Sequence, residues 1–161
     1  TQRSQVPLSF AWGIMREESL FFHKTYSRAA ARGLMQIIPA TAYKIARRLN
    51  IKEFTLQDLY EPHTNVKMGC WYLGQLLEKF ESNVQLAAAA YNAGPHRVVA
   101  WLRNRRNLAA DEFTEEIPFD ETREYVRRVL RSYTIYNYIY KRLLPRPLTT
   151  VAVRVKNNID F

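Results

Sequence analysis

This sequence predicts an all-α fold, on three observations. Apolar residues recur at helical spacing through most of its 161 residues, prolines and glycines stand where helices would open or end, and a regular alternation of apolar and polar residues occurs only near the C-terminus. With 47% hydrophobic and 13% aromatic content, a chain of this length forms one compact domain that buries about 70% of its unfolded surface. That domain is expected over residues 1–145, with residues 146–161 as a C-terminal tail.

Pro7 opens a first helix that reaches Ser19. Pro39 opens a second that extends to Asn50, with Ala42, Ile45, Ala46 and Leu49 on one stripe. Asn65 suits the N-cap of a third, whose apolar stripe is Val66, Leu73, Leu77 and Phe80. Residues Val84 to Ala93 are rich in alanine, small enough for close packing, and Gly94-Pro95 stops that helix with Gly94 as a left-handed cap. A short helix covers Arg97 to Asn104. The last and longest runs from Asp120 to Leu144, ends before Pro145, and carries a stripe of Tyr125, Val129, Tyr133, Tyr136 and Tyr140. Residues Leu148 to Val155 alternate and read as a short strand or a loosely attached tail.

Composition narrows the function. The five Gly and seven Pro are dispersed, and neither a linker, a repeat nor a disordered tract interrupts the pattern. The single cysteine, Cys70, sits in an apolar helical context, so no disulfide framework exists and a buried core thiol is expected. No stretch is apolar enough for a signal peptide or a membrane span, so stable membrane insertion is not expected. A net charge of +9 attracts polyanions, but the basic residues are scattered and no finger, recognition-helix or aromatic RNA-binding motif accompanies them. Nucleic acid is therefore not expected as a partner. His23, His63 and His96 have neither triad nor metal spacing, and no cofactor or metal is expected.

On the first helix, Leu8, Ala11, Trp12 and Met15 share one arc, with Glu18 at its edge and Glu17 on the opposite side. A carboxylate that ends an apolar stripe is partly desolvated, which raises its pKa and keeps it protonated, as a general acid requires. A helix-end Glu that simply reaches solvent has the same spacing. From Ser19 to Lys52 there is no acidic residue, so any second carboxylate must come from a distance, with Glu61, Glu116 and Glu121 as candidates. Residues Arg32 to Pro39 join a turn glycine, an apolar run and a helix-opening proline. Residues Ala90 to Pro95 place Tyr91 and Asn92 just before a cap, where hydroxyl and amide groups are presented to a cleft.

Taken together, Glu18-Ser19, Ser27, Gly33-Leu34-Met35-Gln36-Ile37-Ile38-Pro39-Ala40-Thr41-Ala42, Ala90-Tyr91-Asn92-Ala93-Gly94-Pro95 and Glu116-Ile117-Pro118-Phe119-Asp120-Glu121-Thr122-Arg123-Glu124-Tyr125-Val126 resemble, in order and spacing, the signatures of the soluble lytic transglycosylase catalytic domain. The resemblance covers residues 7–144. It implies a goose-lysozyme-like helical fold with a groove for the alternating N-acetylglucosamine and N-acetylmuramic acid chain. It also implies that Glu18 is the sole catalytic acid and base and that Ser27 contacts the muramoyl N-acetyl group. Met35 and Gln36 would line the sugar sites, Tyr91 and Asn92 would serve the groove beside the acid, Glu121 would be a groove carboxylate, and Tyr136 and Tyr138 would border the groove. Peptidoglycan strands and muropeptides are then the partners, the periplasm the location, and a further N-terminal α-helical region belongs to the same parent protein.

Four positions depart from the family pattern: Glu17 in place of Gln, His23 of Pro, Ala30 of Gly and His96 of Gly. Losing a glycine either keeps φ negative or strains the backbone, so Ala30 and His96 bear on loop geometry. The rivals are a hydrolytic lysozyme on the same fold and a basic module that binds glycan without cleaving it.

Overall fold

The computed structural model describes residues 6–103, 109–144 and 155–156. Among these, seven α-helices and one short 3-10 helix account for the regular structure, and the only β-pairing is a pair of isolated bridges, Tyr26 with Arg32 and Arg32 with Ile37. The helices are α1 (Leu8–Ser19), α2 (Pro39–Arg48), α3 (Pro62–Lys79), α4 (Val84–Ala93), α5 (Pro95–Arg103), α6 (Ala110–Glu115) and α7 (Asp120–Lys141), with the 3-10 helix Leu56–Tyr60 between α2 and α3. None is long and apolar enough to cross a membrane. The alternating stretch from Leu148 lies outside the described residues except for Val155.

Several boundaries differ from the sequence reading. Helix α3 opens at Pro62, and Asn65 is inside its first turn, with its N–H donating to Glu61 O at 2.9 Å. Proline at the helix start outweighed the capping preference of Asn65, whose side chain is used elsewhere. Asn83 is the cap that the sequence reading missed: its side chain accepts from the N–H groups of Gln85 and Leu86 at the head of α4. Gly94 has a positive φ of 92° but an extended ψ of 143°, so it is no left-handed helical cap, and Pro95 at once opens α5. At the end of α7 the left-handed residue is Arg142, ahead of Pro145.

The chain divides into two compact units. The first comprises the residues up to Gly13 and those from Leu73 onward. There α4 packs against α5 and α7, and α6 against α7. Its core is the alanine run Ala87 to Ala90 with Leu86, Val98, Leu102, Phe113, Ile117, Val126 and Val129, all nearly inaccessible. Gly13 permits close approach in this unit, since a Cβ there would lie 3.1 Å from Val129 O. The buried Lys79 donates from Nζ to Lys156 O at 3.0 Å, and Lys156 N donates back to Lys79 O at 2.9 Å. The second unit, Ile14–Tyr72, has its core in Ile14, Met35, Ile37, Ala42, Ile45, Leu59 and Met68.

Candidate active site

In the unit Ile14–Tyr72, Glu18 occupies the last turn of α1. Met15, Ile14 and Ala11 precede it by three, four and seven positions, so they share its helix face, and all are buried. Leu8, expected on that stripe, is exposed. Glu18 is half-buried, but so is Glu17, so exposure does not separate the pair as the helical wheel had suggested. Ser19 fixes the helix end: its buried hydroxyl lies 3.1 Å from Met15 O and 2.8 Å from Leu34 O, so its one hydrogen is divided between the helix and the turn that follows.

That turn is built without regular structure and leans on side chains. Ser27 N donates to Ala31 O at 3.0 Å and Ala31 N donates to Ser27 Oγ at 3.1 Å, which closes a small loop and leaves the Ser27 hydroxyl hydrogen for another acceptor. Ala30, at the tip, adopts a φ of 60°, so the missing glycine is replaced at the cost of backbone strain. His96 carries no such cost, because it sits inside α5 with no positive φ. Gln36 also is left-handed, and its Nε2 donates to Thr25 O at 3.0 Å and Gly33 O at 2.8 Å, so only its carbonyl end is uncommitted. Met35, expected to line the sugar sites, is completely buried, with its Sδ 4.0 Å from Cys70 Sγ. A side chain with no accessible surface does not touch substrate, and Met35 instead backs the turn from the core.

Asn65, Gly33, His23 and Arg32 hold this region. Asn65, fully buried, accepts from Met35 N at 2.8 Å and donates to Arg32 O and Leu59 O, each at 2.8 Å. A Cβ on Gly33 would stand 2.1 Å from Leu59 O and 2.2 Å from Asn65 Nδ2, which with its φ of 79° makes glycine obligatory. His23 places Nδ1 3.1 Å from Tyr60 O, and the Arg32 guanidinium lies over the rings of Tyr26 and Tyr60. The position of Asn65, three residues after the helix-opening Pro62, was the available signal that it is no cap.

In the other unit, the end of α4 and the start of α7 come together. Thr122 Oγ1 donates to Asn92 Oδ1 at 2.7 Å, which joins the half-buried Tyr91 and Asn92 to the turn of α7 that carries the exposed Glu121. Tyr136 and Tyr138 part company. Two positions on a helix lie about 200° apart, and Tyr136 packs edge-on against Trp12 at 5.8 Å, whereas Tyr138 is exposed under Arg142. Between them the buried Asn137 accepts from Ser9 Oγ at 2.9 Å. The two tyrosines therefore do not line one surface.

The other carboxylates of Ile14–Tyr72 are otherwise placed. Asp58 accepts from Thr55 N at 2.7 Å and Thr55 Oγ1 at 3.1 Å, and Glu53 and Glu61 are exposed. Glu116 and Glu121, in the other unit, are exposed too. Among the described residues no three His, Cys, Asp or Glu side chains are grouped to hold a metal ion. Burial pushes the Cys70 thiol and the Tyr72 phenol above their ordinary pKa values; Tyr72 is a core residue, whereas Cys70, expected there too, is only half-buried.

The fold is helical and lysozyme-like, shared with solved lytic transglycosylase structures. The family model for the transglycosylase SLT domain matches residues 1–114, and the chain belongs to that family. It is 40% identical over 140 residues to the soluble lytic murein transglycosylase of Escherichia coli K12, a match that covers 86% of this chain and 22% of the relative. A putative soluble lytic murein transglycosylase of Haemophilus influenzae is 42% identical over 143 residues, covering 88% and 23%. Among solved structures, an inactive glutamate-to-glutamine mutant of the lytic transglycosylase Slt from Pseudomonas aeruginosa superposes with a TM-score of 0.84 at 38% identity, over 97% of this chain and 25% of that one. A 70 kDa soluble lytic transglycosylase in complex with bulgecin A gives 0.81 at 36% identity, over 94% and 24%. The chain thus spans about a quarter of the length of the proteins it resembles.

Proposed function

We propose that this chain is the catalytic part of a cell-envelope lytic transglycosylase that cleaves the β-1,4 bond between N-acetylmuramic acid and N-acetylglucosamine, with Glu18 as its only acid and base. The observation that carries the reading is Glu18 itself: a half-buried carboxyl group on a face with Ala11, Ile14 and Met15, at a helix end pinned by Ser19 to Leu34 O. The inactivity of the Pseudomonas relative after a glutamate-to-glutamine change, and the names of the relatives, support it.

Glu18 in its acid form protonates the glycosidic oxygen as the bond to the muramic C1 breaks, and the glucosamine leaves with a free hydroxyl. Positive charge at C1 is stabilised by the carbonyl oxygen of the neighbouring N-acetyl group in place of a second carboxylate. Glu18, now ionised, removes the proton from the C6 hydroxyl, and O6 closes on C1. The acid is regenerated, no water is consumed, and the product is a 1,6-anhydro sugar. The C6 hydroxyl outcompetes water because it is tethered to the reacting ring. Ser27, whose hydroxyl hydrogen is not spent in its own loop, is the proposed donor to the N-acetyl carbonyl. Gln36, Tyr91, Asn92 and Glu121 are the proposed sugar contacts.

Mass spectrometry of a peptidoglycan digest tests this. The expected muropeptides are one water lighter than hydrolytic products and resist borohydride reduction. Predominantly reducible ends would establish a hydrolase on this fold, and no turnover at all would establish a binding module.

A further inference from the structure

We propose that Asn65 is a positioning residue for the acid, acting through the turn Gly33 to Gln36 and through Ser19 on the end of α1. The inference rests on the reading of Glu18 given above. Asn65 is fully buried yet uses its whole amide on main-chain groups of two other segments: Oδ1 takes Met35 N, and the two Nδ2 hydrogens go to Arg32 O and Leu59 O. A buried amide with its donors and its acceptor all satisfied at 2.8 Å is a rigid fixture, because releasing any arm strands a polar group away from water. The fixture grips the turn on both sides of Leu34, at Arg32 and at Met35. Leu34 O, the atom between the two grips, lies 2.8 Å from the hydroxyl of Ser19, the residue next to Glu18.

The path from Asn65 to Glu18 is therefore short and made of fixed groups, and it lies wholly within Ile14–Tyr72. Gly33 belongs to it: Asn65 Nδ2 and Leu59 O fill the space where a Cβ would stand, so the amide and the glycine are a matched pair. A general acid misplaced by about 1 Å loses on the order of a hundredfold in rate, which is the scale on which this support acts.

The test uses soluble uncross-linked glycan strands, with kcat and KM measured for Asn65→Asp, Ser19→Ala and the double variant. Asn65→Asp keeps the acceptor for Met35 N but turns a carboxylate oxygen toward Arg32 O and Leu59 O. We expect kcat to fall about tenfold to a hundredfold, with KM within about twofold, and the same strands to bind a Glu18→Gln background equally well with and without Asn65→Asp. Because both residues act along one path, the double variant falls little below the worse single one. If Asn65→Asp does not fold, Ser19→Ala decides alone, since it cuts the last link and leaves the amide intact. Normal kcat in either folded single variant, a loss confined to KM, or losses that multiply would overturn the proposal. Full turnover by Glu18→Gln would instead overturn the assignment of the acid, which keeps the two failures distinct.

Discussion

Gly69 of α3 has no room for a side chain, and the consequence is measurable. A Cβ there would lie 2.4 Å from Met35 Sδ, 2.8 Å from Met35 Cβ and 3.0 Å from Met35 Cε. The two distal atoms can swing aside, but the Cβ cannot, because Met35 N is held by Asn65 at 2.8 Å. Gly69→Ala therefore pushes the Gly33–Gln36 turn and overpacks the core, at about 1–3 kcal/mol. Alanine recovers about 1 kcal/mol of helix propensity, so the net loss is at most about 2 kcal/mol. For a chain of this size that lowers Tm by up to about 8 °C, read by circular dichroism. Met35→Ala alone opens a cavity and costs about 2–5 kcal/mol. The double variant must cost less than the two singles together by about 1 kcal/mol or more, since the new methyl occupies vacated space. A Gly69→Ala protein more stable than the wild type, or strictly additive costs in the double variant, would refute the contact between Gly69 and Met35.

Glu18→Gln should remove turnover by at least about a hundred- to ten-thousand-fold with Tm unchanged, while Glu17→Gln stays active; the reverse pattern in a rate assay would exchange their roles. Ser27→Ala should slow turnover about tenfold to a hundredfold in a protein that melts normally, and unchanged kinetics would reduce Ser27 to a loop tie. Asn83→Ala removes an acceptor for two N–H groups and should cost about 0.5–2 kcal/mol in urea unfolding without altering KM. Cys70 and Tyr72 hold their protons more tightly folded than unfolded. Stability is then full below the ordinary thiol pKa and declines as pH rises past about 8.5–10, so the urea midpoint should fall between pH 7 and pH 10, and less so in Cys70→Ala.

Helices that carried their own start and stop signals were legible in the sequence. Pro7, Pro39 and the run Ala87 to Ala90 announced α1, α2 and α4, and the tyrosine stripe announced α7. What escaped was whatever depends on a tertiary partner. The 3-10 helix and α6 are five and six residues long, too short for periodicity to register. Met35 has the same one-dimensional context as a groove residue, and only the absence of space at Gly69 reveals it as core. Asn65 was misread because an asparagine near a helix start is usually a cap, and two of its three main-chain partners, Arg32 and Met35, lie far away in sequence.

The stretch after α1 carries most of the backbone strain in its unit, and the polar side chains there answer it. Leu20, Phe21, Ala30 and Gln36 all have φ between 46° and 63°, in a region where each non-glycine residue costs about 1–2 kcal/mol. Such a path persists only if other bonds specify it. Thr25 Oγ1 donates to Phe22 O, Ser27 closes on Ala31, Gln36 closes on Thr25 and Gly33, Ser19 reaches Leu34, and Asn65 clamps Arg32 and Met35. The polar residues that a sequence reading assigns to substrate are thus also the ones that hold the loop. Under the proposed reading Ser27 would meet both duties at once, because accepting from Ala31 N orients its oxygen while its hydrogen stays available. Gln36 does so only through Oε1, since its amide hydrogens are committed. Under the proposed reading Gln36 would then accept from a sugar hydroxyl and Ser27 would donate to an acetyl carbonyl, a complementary pair fixed by how the strained loop is tied.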